Sequence, residues 1–227
     1  MSSAVLRFMV RLQKMYAPTV HVLVAKSLFA YMLERLLKEH REPEAVNRGL
    51  FREGVWVGSL AITKLASPAQ LKRFRPGPDL ERTRRGVELY GAAAWYIFAG
   101  HVPSVRTEVA DREGVIWIEI REDASKDAFY KIVVPEGVNT LYFVAGAYEG
   151  ATATAFRLVG VEGEWFNMWR PLGGGGICGF YAPQSLAPSR VAEVVRSRSP
   201  EFFRVVSWDD SARFLRELIN FEIPQPP

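Results

Sequence analysis

The hydrophobic pattern changes period along this chain, and the changes divide it into elements. Apolar residues recur every three or four positions at the start, the spacing of one helix face. Val5, Phe8, Met9 and Leu12 predict a helix over 4–16, ended by Pro18. A second helix over 19–39 turns Leu23, Leu28, Tyr31, Met32, Leu36 and Leu37 inward. A third, over 44–66, carries Gly54 and Gly58 on one face, which costs propensity but lets another backbone approach closely. The prolines and glycine of 72–78 mark a loop, and Asp79 is placed to cap the next helix. That helix runs over 80–99 with Val87, Tyr90, Ala94, Ile97 and Phe98 in period; Gly100 closes it and Pro103 forbids continuation.

Alternation with period two then takes over and predicts strands at 105–110, 115–121 and 129–134. Residues 138–159 return to helix, with Ala145, Gly146, Ala147, Gly150, Ala151 and Ala153 making it small or apolar on nearly every side. Such a helix belongs in the centre of a core. Strands follow at 164–169 and 177–181, joined by the glycine run 173–176. A helix at 188–196, a short strand at 202–206 and a helix at 209–221 complete the chain. Helices first, then strands, helix and strands, exclude a regular βαβ alternation; the fold class expected is α+β. The expected division is a domain over 1–183 and an extension over 184–227 packed on it.

The composition, 48% hydrophobic and 24% charged, is that of a globular chain, and the formal charge of +4 is spread among interspersed acids. One cysteine, Cys178, rules out an intrachain disulfide. The most apolar stretch near the start holds Lys26, Glu34 and Arg35, which argues against a membrane span, and the N-terminus lacks the pattern of a cleaved signal. A cytoplasmic protein is expected. Arginine outnumbers lysine 22 to 7, and asparagine plus glutamine total 8; the scarcity of thermolabile amides points to a thermophile.

Candidate chemistry is sparse. The four consecutive glycines lack the Lys-Ser/Thr and the helix that a phosphate loop requires, so a hairpin connection is expected. His21, His40 and His101 lie too far apart in sequence to suggest a metal site; His101, just past a helix end, suits an imidazolium facing free carbonyls. Cys178 on an apolar strand reads as a buried thiol. Glu149, a carboxylate inside the small-residue helix, calls for a rim position or an arginine partner. Lys72, Arg73, Arg75, Arg82, Arg84 and Arg85 form the densest basic patch, the one candidate surface for nucleic acid. Asp79, Glu81 and Glu88 dilute it and argue for a solvated face. Trp165, Phe166, Met168 and Trp169 put aromatics on both faces of one strand, one for the core and one for an interface or apolar cavity.

Three segments resemble the small subunits of the transport protein particle (TRAPP) family and their relatives, the 4-vinyl-reductase and haem-NO-binding domains. They are Gly54-Val55-Trp56-Val57-Gly58-Ser59-Leu60, the corner Tyr96-Ile97-Phe98-Ala99-Gly100-His101-Val102-Pro103-Ser104, and Leu141-Tyr142-Phe143-Val144-Ala145-Gly146-Ala147-Tyr148-Glu149-Gly150-Ala151. The resemblance spans about residues 50–181 and implies a helical N-terminal half packed on a twisted antiparallel sheet, with one long helix inserted between strand pairs. It implies a non-enzymatic module that assembles with a protein partner or as a homodimer, or encloses a hydrophobic small molecule. The implied channel beside 138–159 would be lined by Tyr90, Trp95, Phe98, Tyr142 and Phe143, with Gly146 and Gly150 leaving room. The region 72–88 has no cysteine to match the acylated one of some family members, so the lipid or fatty acid implied is non-covalent. No Tyr-x-Ser-x-Arg motif is present, and no haem or other cofactor is expected.

Overall fold

The computed structural model describes residues 22–65, 71–72, 75–123, 125–126 and 128–219. The helix expected over 4–16 lies outside them, as do His21 and Arg73. Three helices come first: α1 (Val22–Glu39), α2 (Pro43–Leu65) and α3 (Leu80–Ala99). Asp79 accepts the Arg82 N–H at 3.0 Å and starts α3; Gly100, at φ 74°, ends it by donating to the Tyr96 carbonyl. Both termini follow from the cap residues.

Four strands and a long helix form the second half. β1 (Ser104–Val109) and β2 (Ile116–Arg121) precede α4 (Leu141–Leu158); β3 (Trp165–Pro171) and β4 (Gly176–Pro183) follow it. The strands make one antiparallel sheet in the order β1-β2-β4-β3, so β4 inserts between β2 and β3. The fold is α+β, as the element order implies. The glycine run is the β3–β4 hairpin turn, where Gly174, Gly175 and Gly176 take positive φ and the Leu172 N–H donates to Gly176 O.

Two cores sandwich the sheet. On one face Ile116, Ile118, Ile120, Trp165, Trp169 and Ile177 join α4 and the helices outside it. On the other, Val115, Trp117, Met168 and Phe180 pack against α5 (Pro188–Arg198) and Phe202. The second aromatic face of β3 is therefore covered from within the chain. α6 (Trp208–Ile219) closes the fold beside α2, with Phe214 tilted against Phe51.

Two expected strands do not form. Residues 129–134 are irregular, and Phe129 instead packs edge-on against Phe29 and Phe143 while Tyr130 donates to Glu122 at 2.6 Å. Residues 202–206 form turns in which Phe202 reaches the outer sheet core. Both segments carry strand-favouring side chains, but Tyr130, Phe202, Val205 and Val206 fill cores instead of pairing in the sheet. The expected inward face of α1 is also corrected. Phe29, Leu33 and Leu36 are buried and Met32 and Leu37 half-buried, whereas Leu23, Leu28 and Tyr31 are 66%, 65% and 71% exposed. With apolar residues almost all round, helical period could not choose the face; packing against α2 and Phe129 did.

Candidate functional site

The glycines of α2 and α4 interlock. A β-carbon on Gly54 or Gly58 would sit 2.0 or 1.9 Å from the carbonyl oxygen of Phe143 or Ala147. One on Gly146 or Gly150 would sit 2.0 Å from that of Phe51 or Val55. The helices meet backbone to backbone, and only hydrogen on each Cα permits it. Ser59 and Thr154 share a buried 2.7 Å hydrogen bond at one end of this seam. At the other, Asn47 donates to Gly137 O and accepts the Asn139 N–H, clamping the loop into α4.

This seam sets where the expected channel residues lie. Gly146 and Gly150 face the α2 backbone, so the space their missing side chains leave is already filled. Trp95 is fully buried against Tyr130 and Tyr148, with Phe98 tilted against Tyr148. Phe143 joins Phe29 and Phe129, which connects to that group through an edge-on contact with Tyr130, and Tyr142 is half-buried. Tyr90 borders a cavity of about 20 Å³ with Val87, Thr152, Phe156 and Tyr181. That is space for about one water, not an acyl chain.

Glu149 finds its arginine in Arg170, 3.0 Å away, with both side chains buried. β3 is an edge strand, and its outward Trp169 N–H donates to the same carboxylate oxygen at 2.9 Å. The helix thus seals a sheet edge that would otherwise present free backbone groups. Arg170 also donates to the carbonyls of Trp169, Val206 and Ser207 and to Ser211 Oγ, and its guanidinium lies 4.9 and 5.2 Å from the Phe51 and Phe202 ring centres. Burial pushes the Glu149 carboxyl above its ordinary value, against the pull of Arg170. One arginine therefore holds α4, an edge strand and the C-terminal segment together. Sequence inspection isolated Glu149 but missed Arg170, whose only signal was a charge ending an aromatic strand.

The other candidates are dispersed or enclosed. Arg84 pairs with Glu81 and Glu88 and donates to Thr107, Arg85 pairs with Glu81, and Arg75 lies 3.6 Å from Glu164. Much of the basic patch is thus matched by acids, while Lys72 and Arg82 stay exposed. Cys178 is fully buried, and burial pushes its thiol up to about 12. His101 lies between Trp95 Nε1, 3.4 Å from its Nε2, and the Ala99 carbonyl at the end of α3, 3.0 Å from its Nδ1. Among the described residues no three His, Cys, Asp or Glu side chains converge as metal ligands, and no helix is long and apolar enough to cross a membrane.

The surface offers a stronger candidate. Val24, Leu28 and Tyr31 occupy positions i, i+4 and i+7 on α1 and are 50%, 65% and 71% exposed, opposite the buried Phe29, Leu33 and Leu36. α2 adds Val57 and Leu60 at 37% and 36%. Comparison of the chain with protein-family models and with curated proteins returns no match.

Proposed function

We propose that this chain is a non-enzymatic assembly module of TRAPP-like build that pairs with a second copy of itself through the outer face of α1. The observation carrying the reading is the Val24-Leu28-Tyr31 stripe, an exposed apolar line on a helix whose opposite face is already buried. Contiguous exposed apolar surface marks interaction sites. The stripe suits a two-fold axis. In an antiparallel pair centred on Leu28, Val24 lies about 6 Å along the axis to one side and Tyr31 about 4.5 Å to the other. The smaller side chain of each copy then meets the larger side chain of the other. The resemblance read from the sequence carries the same expectation, since that family assembles through helical faces.

The test is sedimentation equilibrium on the full chain and on a Leu28→Asp/Tyr31→Asp variant. The expected result is a dimer dissociating at about micromolar concentration that becomes monomeric in the variant, with an unchanged circular dichroism spectrum. A monomeric parent protein would overturn the reading, as would a dimer that survives both substitutions.

A further inference from the structure

A second cavity, of about 170 Å³, opens at the C-terminal end of α4, between α2, β3 and α6. Its apolar lining includes Phe156 and Trp165, with Leu215 and Leu218 from α6. A dry cavity of roughly 150 Å³ is enough for a benzene-sized group, so this one takes a branched or aromatic side chain and excludes a long acyl chain. It is not uniformly apolar. Asn167 lines it, is only 2% exposed, and has an Oδ1 without a hydrogen-bond partner. A buried polar atom left unpaired is costly, and one bordering a cavity is satisfied when an occupant donates to it.

Two opposite charges border the same cavity. Arg157, half-buried in the last turn of α4, and exposed Glu162, just after that helix, form no ion pair with each other or with any other described residue. A carboxylate alone would answer Arg157 and leave Glu162 facing a like charge, whereas an amine alone would do the reverse. A ligand carrying both charges on neighbouring atoms, with an apolar side chain, answers Arg157, Glu162, Asn167 Oδ1 and the apolar lining together. We infer that this cavity binds a free α-amino acid with a branched aliphatic or aromatic side chain. The carboxylate lies toward Arg157, the ammonium between Glu162 and Asn167 Oδ1, and the side chain among Phe156, Trp165, Leu215 and Leu218. The inference is independent of self-association, because the cavity lies within one chain.

Isothermal titration of the full chain with L-leucine and L-phenylalanine tests it, with 4-methylpentanoate and 3-methylbutylamine as analogues lacking the ammonium or the carboxylate. At least one amino acid is expected to bind saturably, each analogue at least about tenfold more weakly than L-leucine, and Arg157→Gln to weaken L-leucine by about tenfold. Glu162 is exposed, so Glu162→Gln should keep the fold and cause a similar loss even if the Arg157 variant does not fold. Absence of saturable binding by both amino acids up to roughly 10 mM would overturn the inference. So would an analogue binding as tightly as L-leucine, or binding unaffected by both substitutions.

Discussion

The α2–α4 seam and the outer face of α1 are both built on helices rich in small or apolar residues, yet one is the most tightly closed part of the molecule and the other is open. In the seam, four glycines let two backbones touch, and every added atom would meet a carbonyl oxygen. On α1, large side chains stand in solvent because the inner side of the helix already supplies its contacts to the core. Apolar composition makes a helix able to bury itself. The size of the residues facing a neighbour decides how closely it can do so.

The widest contrast comes from adding methyl groups to the seam. Gly54→Ala combined with Gly58→Ala forces two β-carbons into backbone atoms that cannot rotate away, and is expected to cost more than about 4 kcal/mol. Urea unfolding monitored by circular dichroism would measure this. A loss below about 1 kcal/mol would mean that the helices separate easily and the contrast with α1 fails.

Arg170→Met sharpens the comparison beside the seam. It leaves Glu149 buried without its partner, and about 3 kcal/mol should be lost in the same assay. Adding Glu149→Leu should recover part of that loss, because the unpaired charge goes with it. On α1, by contrast, Leu28→Asp should change the stability of the isolated chain by no more than about 0.5 kcal/mol, since that side chain is 65% exposed.

The smallest effect should come from Glu81, on exposed α3 surface. Its hydrogen bond with Arg84, then that with Arg85, lowers its carboxyl from 4.5 to about 2. A depressed folded value means that the contribution is present above the unfolded value of 4.5 and is lost as pH falls through about 2. The Tm gap between the parent protein and Glu81→Gln should therefore be small at neutral pH and vanish on acidification through that window. A gap that widens below pH 4.5 would contradict the assignment.

Much of the fold was legible wherever local chemistry dictates local shape. Asp79 and Gly100 marked the ends of α3, the glycine run marked a hairpin, and small residues marked α4 as central. The segments 129–134 and 202–206 were misread because strand-favouring side chains are also good core fillers, and a strand requires a neighbour to pair with. Glu149 stood out in the sequence as a carboxylate in the wrong company. Its partner, 21 residues away on an edge strand, did not. The cavity bordered by Asn167, Arg157 and Glu162 gave no sequence signal, since its lining comes from four separate elements.

The sequence by itself determined periodicity, caps and the places where a backbone could be approached closely, because each depends on a residue and its immediate neighbours. The tertiary structure decided which side of α1 is buried, where the glycines of α4 point and which charge answers Glu149. Those outcomes depend on contacts between residues far apart in the chain, and an apolar or charged side chain does not encode in advance which distant neighbour will cover it.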